Sequence, residues 1–253
     1  MNSINVGHAR SFERHGKKVL IILATVLLFS SVYAQTPVEN QVKTTAIGTS
    51  KVWGTVNGVA IEGLVQGPAA VVVPLQVACV FEYTEGDIFN PPALPAALNG
   101  MVHLDEALKG LITELRKSGK FAGHALETLL ITPPKGTTKA TQILLIGLGD
   151  RSKFTPDLMT AVGSVALREA VRLGVSHFAF GSDIKDAGID SPTALVASNV
   201  TKGIIAAYRT QLFLQGKKYA NGKPLTKVTL LAGPAFFNTA GEGIKEAVAT
   251  FSN

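Results

Sequence analysis

The fold is decided by the run Gln142-Ile143-Leu144-Leu145-Ile146-Gly147-Leu148-Gly149. The run is apolar at successive positions, which is typical of a strand buried on both faces of a parallel sheet. It is followed by Thr155-Pro156-Asp157, where a capping hydroxyl, a proline at the first helical position and an acid in the first turn favour a helix start. A buried strand that leads directly into a helix predicts an α/β fold.

Strand and helix signals alternate on both sides of this run. Apolar stretches predict strands at 77–83, 129–131, 177–180 and 227–231. Helices are predicted through 104–115 with an end at Ser118-Gly119, from 155 to 174, from Ser191-Pro192 to Gly216, and from a capping box at 239–242 onward. This alternation predicts a three-layer α/β/α sandwich around a mixed, largely parallel sheet.

The first residues have the layout of a secretory signal peptide. Four basic residues up to Lys18 precede the apolar run 19–32, and the small-residue site Val32-Tyr33-Ala34 follows. We expect residues 1–34 to be cleaved and the protein to be exported, to the periplasm or the extracellular space. An uncleaved membrane anchor and a buried amino-terminal helix are the alternatives. A spanning helix needs about 20 apolar residues, more than this run contains.

Charge and composition restrict the partners. Cleavage after Ala34 removes four cations and Glu13, so the net charge falls from +6 to +3. The lysines at 217, 218, 223 and 227 lie near a predicted turn, and we interpret them as solvated surface. The sequence therefore predicts no nucleic-acid partner and, after cleavage, no membrane partner.

The remaining chain divides at residue 75. Residues 35–74 are predicted to be an amino-terminal extension that is partly ordered, in which Lys51-Val52-Trp53-Gly54-Thr55-Val56 is a strand, a hairpin or a loosely held arm. Residues 75–253 are predicted to form one domain, which is long enough to bury its own core. The one cysteine, Cys79, lies in an apolar run and is interpreted as a small buried hydrophobe, with a catalytic thiol as the alternative.

Few residues are candidates for chemistry. Gly147-Leu148-Gly149-Asp150-Arg151-Ser152 connects a strand to a helix, where backbone amides can hold an anion. A plain turn is the favoured interpretation, because the third glycine of a dinucleotide fingerprint is missing and Asp150 would repel phosphate.

Metal and nucleophile sites are not indicated either. The histidines at 103, 124 and 177 are far apart and have no zinc-type spacing. Ser164 lacks the second glycine of a nucleophile elbow, so Val162-Gly163-Ser164-Val165-Ala166 is interpreted as a small-residue packing face. We predict no catalytic residue, no metal ligand and no cofactor.

Three stretches in order resemble the leucyl aminopeptidase family. They are Leu104-Asp105-Glu106-Ala107-Leu108, Glu127-Thr128-Leu129-Leu130-Ile131, and Leu144-Leu145-Ile146-Gly147-Leu148-Gly149 with Phe154-Thr155. The similarity continues through a small-residue helix, Gly203-Ile204-Ile205-Ala206-Ala207-Tyr208-Arg209 and the last strand, and covers about residues 75–250. It is to the amino-terminal domain of the family, and it implies a macro-domain-like α/β/α fold.

The resemblance does not extend to the catalytic machinery of the family. Its two metal ions are held by a Lys, Asp and Glu cluster in a carboxy-terminal domain that bears an Asn-Thr-Asp-Ala-Glu-Gly-Arg motif. Asn238-Thr239-Ala240-Gly241-Glu242-Gly243 is a superficial echo without the ligand Asp and the Arg. No site residue is carried over, and the expectation is a chain without peptidase activity of its own, although the sequence leaves open whether it is an enzyme.

Three functions remain as hypotheses. The first is an exported, non-catalytic binding or assembly module whose partner is a peptidase, another protein or a second copy. The second is a small-ligand receptor for a nucleotide or ADP-ribose-like molecule, bound by loops with Gly147, Gly149, Asp150, Gly181 and Ser182. The third is aminopeptidase activity that arises only with a partner chain.

Overall fold

The computed structural model describes residues 44–252. The predicted signal peptide and residues 35–43 of the predicted extension lie outside the described residues. The strands are β1 (Ser50–Val56), β2 (Val59–Val65), β3 (Leu75–Val80), β4 (Thr128–Ile131), β5 (Gln142–Gly147), β6 (His177–Gly181) and β7 (Lys227–Ala232). The α-helices are α1 (Gly100–Ala107), α2 (Leu111–Lys117), α3 (Leu158–Arg172), α4 (Thr193–Gly216) and α5 (Phe237–Thr250).

The seven strands form one mixed sheet in the order β1-β2-β7-β6-β3-β5-β4. Strands β2, β7, β6, β3 and β5 are parallel, and the two edge strands β1 and β4 are antiparallel to their neighbours. All six residues of β3 and the last five of β5 are buried, as expected for strands covered on both faces. The predicted three-layer α/β/α fold with a largely parallel sheet is confirmed.

The sheet extends to the amino-terminal side of residue 75. Asn57 and Gly58 both have positive φ, at 51° and 80°, and join β1 to β2 in a tight hairpin. Strand β2 then pairs in parallel with β7 from Ala60 to Val65. The hairpin alternative for this stretch is therefore the one that the structure adopts, and residues 50–65 belong to the same sheet as the domain predicted from 75.

One face of the sheet is covered by α3, α4 and α5, whose backbones approach closely at glycines. A Cβ atom on Gly203 would lie 1.9 Å from the Thr160 carbonyl oxygen, and one on Gly163 would lie 2.3 Å from the Val200 carbonyl oxygen. The Ser164 hydroxyl donates to the Gly203 carbonyl at 3.0 Å. The predicted small-residue packing face in α3 is confirmed, since only glycine allows this separation.

The other face is covered over β3 and β5 by α1 and α2, which pack on Ala78, Val80, Ile143 and Leu145. The prediction of one helix through 104–115 is wrong, because the chain breaks at Lys109 and Gly110, where φ is 60° and 81°. The buried Asp105 carboxylate accepts hydrogen bonds from the Ile112 and Thr113 amides at 2.8 and 3.2 Å. A side chain of α1 thus caps α2, and the apolar periodicity alone does not reveal it.

The same face over β2, β7 and β6 is covered by a segment without helix or strand. Residues 66–74 connect β2 to β3, and Val71 and Val73 pack with Ala140 and Ala179 against the half-buried Leu64 and Leu231. Val72 lies between the two inward valines and is 78 % exposed. We call residues 66–74 the strap.

The capping box predicted at 239–242 is wrong. Helix α5 begins at Phe237, so Thr239 already lies in its first turn. Glu242 pairs instead with Lys245 at 2.7 Å, one turn further along the helix. The turn at 234–236 leads directly into the helix, which therefore starts before the predicted capping residue Thr239.

Candidate functional site

Three loops converge where β3, β5 and β6 end. Parallel strands present their carboxyl ends at one edge of the sheet, and the connections from these strands leave to opposite faces, which is where α/β proteins place ligand sites. The cavity at this edge is small, about 10 Å³, the space of about one water molecule. Cys79, Phe81, Asp87, Arg116, Arg151 and Asp183 are among its lining residues.

A buried ion pair fastens the loop after β3. Arg116 of α2 donates to the Asp87 carboxylate, and the side chains of both are 1 % exposed. The same guanidinium donates to the Phe81 carbonyl at 3.2 Å. A buried charge needs a partner of this kind, because burial of an unpaired ion costs several kcal/mol. The pair therefore joins α2 to the end of β3.

Asp183 provides a hydrogen-bond acceptor to β3 at the point where β6 diverges from that strand. Pairing between the strands ends at Ala78 and Gly181. The next amide of β3, that of Cys79, donates to the Asp183 carboxylate at 3.1 Å. Asp183 has a φ of 54°, the left-handed conformation that turns its side chain back toward the sheet. This carboxylate thus replaces a missing strand partner.

Asp186 and Asn99 tie the loop after β6 to the start of α1. The Asp186 carboxylate accepts from the Met101 amide at 3.2 Å, and its carbonyl accepts from the Asn99 side chain at 3.0 Å. Asn99 is the N-cap of α1, and its side-chain oxygen accepts from the Val102 amide at 3.0 Å. Its amide nitrogen also donates to the carbonyls of Ile88 and Leu94.

Burial favours the neutral forms of Asp183, Asp186 and Cys79. It raises the pKa of Asp183 well above the usual range, and the nearby Asp186 carboxylate raises it further. Burial likewise raises the pKa of Asp186 to about 6, opposed by hydrogen bonds from the Met101 and Gly100 amides. The pKa of the Cys79 thiol is raised by burial and by Asp183, so this thiol is not activated as a nucleophile.

The predicted binding residues after β5 lie at this edge, but their polar groups are engaged within the protein. The Gly147 amide donates to the Glu127 carbonyl at 2.8 Å, and the Gly149 amide donates to the Gly123 carbonyl at 2.9 Å. Asp150 accepts from the Ser152 amide at 2.9 Å and pairs with Lys153 at 3.3 Å. These bonds lower the pKa of Asp150, those from Ser152 most.

Gly181 ends β6, and Ser182 follows it on the neighbouring loop, directly before Asp183. A Cβ atom on Gly181 would lie 3.2 Å from the Asp183 carboxylate, so glycine leaves room for that side chain rather than for a ligand. The structure brings the loops of Gly149 and Gly181 together, and each loop contributes one lining residue to the cavity, Arg151 and Asp183 respectively. Ligand binding by the five predicted residues stays a prediction.

Four polar residues that hold this edge together were not predicted from the sequence. These are Asp87, Asn99, Arg116 and Asp186. The short spacing of Asp183 and Asp186 after a strand was a signal that could have been noticed. No sequence pattern indicated the pairing of Asp87 with Arg116, because the two residues lie in different elements.

No group of three or more His, Cys, Asp or Glu side chains that could hold a metal ion is found within residues 44–252, so the described residues do not fit the two-metal centre of the resembling family. His124 contacts Glu82 at 2.7 Å on the surface. Within the same range, no helix is both long and apolar enough to cross a membrane.

Sequence comparisons place the chain among aminopeptidase domains. The profile of the cytosol aminopeptidase family, N-terminal domain, matches residues 83–217. The probable cytosol aminopeptidase of Roseiflexus castenholzii is 32 % identical over 141 residues, which cover 55 % of this chain and 28 % of that protein. That of Persephonella marina is 30 % identical over 119 residues, which cover 45 % of this chain and 23 % of that protein. The chain thus matches about a quarter of the length of these relatives.

Solved structures with this fold include both aminopeptidases and macrodomains. A tomato leucine aminopeptidase mutant matches 81 % of this chain and 37 % of its own at a TM-score of 0.53 and 19 % identity. The Oceanobacillus iheyensis macrodomain with MES bound matches 80 % of this chain and 98 % of its own at a TM-score of 0.50 and 18 % identity. These likenesses show the macrodomain-like fold. Because the family profile covers more than half of the sequence, the chain belongs to the cytosol aminopeptidase family by its N-terminal domain.

Proposed function

We propose that this chain is an exported, non-catalytic binding or assembly module, whose partner is another protein or a second copy. The observation that carries the proposal is the uneven cover of the sheet. Within residues 44–252, one face over β2, β7 and β6 is covered by the strap and Ala140 alone, with Val72 78 % exposed above the half-buried Leu64 and Leu231. Val72 and these two partly exposed leucines give this face an apolar surface that a partner protein would cover.

The cavity favours this proposal over a small-ligand receptor. Nucleotide-sized ligands occupy pockets of roughly 300–1,000 Å³, whereas the cavity at the ends of β3, β5 and β6 measures about 10 Å³. The amides of Gly147 and Gly149 are already bonded to protein carbonyls. Aminopeptidase activity with a partner chain would require that chain to supply the metal ligands.

The first experiment measures activity and mass on one sample. Residues 35–253 are purified, assayed on leucine p-nitroanilide with added manganese or zinc, and sized by light scattering. We expect no turnover. Metal-dependent turnover that persists through further purification and scales with protein concentration would overturn the non-catalytic part of the proposal.

The strap is tested by a matched pair of substitutions. Val72→Glu places a charge on the strap, and Leu98→Glu places one at another exposed apolar site, which is 70 % exposed. We expect Val72→Glu to abolish self-association, or capture of the partner protein, and Leu98→Glu to leave it unchanged. Equal behaviour of the two variants would remove the strap from the proposal.

Export is tested by the amino terminus of the protein. We expect the full chain, when expressed in a bacterium, to be recovered from the periplasm or medium with Gln35 as its first residue, as mass spectrometry would show. Recovery from the cytoplasm with residues 1–34 intact would contradict export and leave the binding proposal standing.

A further inference from the structure

The turn that ends α4 is a basic and aromatic projection, which we call the 213–224 tip. Gly216 to Tyr219 and Asn221 to Pro224 are exposed without interruption. The tip carries Lys217, Lys218 and Lys223 beside two aromatic side chains, Phe213 at 63 % and Tyr219 at 85 % exposure.

The tip lies in a part of the chain without acidic residues. From Ser191 to Gly241 the sequence has six Lys and Arg and no Asp or Glu. Lys202 and Lys227 are paired with Glu246 and Glu62, at 3.1 and 3.3 Å. The three lysines of the tip form no ion pair with any residue in 44–252, so their charge is uncompensated within the described chain.

The tip has a defined shape. The Tyr219 amide donates to the Leu214 carbonyl at 2.9 Å, and Lys218 adopts a φ of 64° to close the turn. The side chain of Gln215 reaches the Gly222 carbonyl at 3.5 Å, which folds the turn back on α4. Phe213 and Lys217 lie together, with the ammonium 5.8 Å from the ring centroid. The cations and rings are therefore held at one place on the surface.

We propose that the 213–224 tip binds the surface of an anionic phospholipid bilayer. Lysines near such a surface are attracted to its headgroups, and aromatic rings are favoured in the interfacial layer between headgroup and acyl chain. Mobile headgroups require no fixed spacing of cations. A nucleic acid is the weaker match, because its binding sites contact about 6–10 phosphates along a stripe, and the tip offers three lysines on one turn.

This inference goes beyond the proposed protein-binding function and uses other residues. It also departs from the sequence-based expectation of no membrane partner after cleavage. That expectation interpreted the lysines as solvated surface, and the exposure of Phe213 and Tyr219 beside them is visible only in the structure. The strap variant Val72→Glu leaves the tip intact. The failure of one proposal therefore does not affect the test of the other.

The experiment is co-sedimentation of residues 35–253 with vesicles. The leader is omitted because its apolar run would itself bind lipid, and the strands and helices described above all lie within residues 50–250. Vesicles of phosphatidylcholine alone are compared with vesicles that also contain phosphatidylglycerol. We expect binding to the anionic vesicles only, and weaker binding as salt is added.

Charge-matched variants assign the binding to the tip. The triple variant Lys217→Ala, Lys218→Ala, Lys223→Ala is expected to lower the vesicle partition coefficient about a hundredfold, or about fivefold for each lysine. The control, Lys120→Ala, Lys135→Ala, Lys139→Ala, removes the same charge elsewhere and is expected to bind like the parent. Circular dichroism verifies that both variants fold.

Aromatic variants separate insertion from simple charge attraction. The pair Phe213→Ser, Tyr219→Ser is expected to lower partition about tenfold, while Phe89→Ser, at another exposed ring, leaves it unchanged. The proposal is overturned by equal binding to neutral vesicles, by equal loss in the control triple variant, or by absent vesicle binding. Retention on a DNA oligonucleotide without vesicle binding would assign the tip to nucleic acid instead.

Discussion

The two helical layers of this domain both pack on the sheet through apolar side chains, but their closest further contacts differ in kind. In the layer of α3, α4 and α5, backbones meet at Gly163 and Gly203, and the contact is van der Waals packing of chain against chain. In the layer of α1 and α2, buried polar groups add to the apolar packing, through Asp87 with Arg116 and Asp186 with the start of α1.

The two layers should therefore respond differently to substitution. We expect the first layer to be sensitive to any added side-chain volume at its glycines. We expect the second layer to be sensitive to the loss of one partner of a polar pair, since the other partner stays buried.

The largest effect is expected from Arg116→Leu. The substitution leaves the Asp87 carboxylate buried without its partner, which costs about 3–5 kcal/mol in the free energy of unfolding. Urea unfolding measures the loss. Arg172→Leu is the control, because Arg172 pairs with Glu169 on the surface and is 61 % exposed; its loss should stay below about 1 kcal/mol. Similar losses in both variants would contradict the distinction between the layers.

Gly203→Ala tests the first layer on α4. The new methyl group would lie 1.9 Å from the Thr160 carbonyl oxygen, and the overpacking should destabilise the fold by about 1–3 kcal/mol. Gly216→Ala, on the same helix but with no atom within 4 Å, should be neutral or slightly stabilising. Thermal unfolding compares the two, and an unchanged Gly203→Ala protein would mean that α3 and α4 separate without cost.

Asp105→Ala tests the polar cap between the two helices of the second layer. The variant removes the acceptor of the Ile112 and Thr113 amides, and we expect a loss of about 1–2 kcal/mol. Amide hydrogen exchange should show faster exchange at both amides. Glu106→Ala, one residue further along α1 and exposed, is the control that should leave exchange at those amides slow.

The smallest effect is a dependence of stability on pH. The pKa of Asp186 is raised by burial to about 6 in the folded protein, above its unfolded value, so folding favours the protonated form. The stabilisation is fully present below about pH 4 and is lost as the pH rises through 6. Asp183 has a raised pKa and acts in the same direction.

Urea unfolding should therefore show the protein about 1–2 kcal/mol more stable at pH 5 than at pH 7. Asp186→Asn keeps an acceptor for the Met101 amide but does not titrate, and it should flatten this slope. Asp190→Asn, at an exposed carboxylate, should leave the slope as it is. A steeper slope in the Asp186 variant would refute the assignment.

Most of the fold could be predicted from the sequence because its signals are local. The buried run that forms β5, the stop of α4 at Gly216 and the small residues of α3 each act over a few neighbouring positions. The errors occurred where tertiary contacts override such signals. Asp105 allowed the chain to break at Lys109 and Gly110, and the turn before Phe237 moved the start of α5.

The candidate site was predicted only in its location. The loops of Gly149 and Gly181 were expected at the carboxyl ends of parallel strands, and they meet there, because that position follows from strand order and direction. Which side chains fill the space between them was not predictable. Asp183 bonds to Cys79 over 104 positions of sequence, and no local pattern encodes such a contact.

The sequence by itself determined the fold class, the family resemblance and the expectation of export. Apolar periodicity, the order of the motifs and the layout of the predicted signal peptide are all local properties of the sequence. Only the tertiary structure decided that protein side chains fill the space at the carboxyl ends of β3, β5 and β6. It also decided that the strap leaves Val72 exposed and that Phe213 and Tyr219 lie on one tip with three lysines. The physical reason is that burial and proximity depend on which distant segments pack together, and a linear pattern contains only the neighbours along the chain.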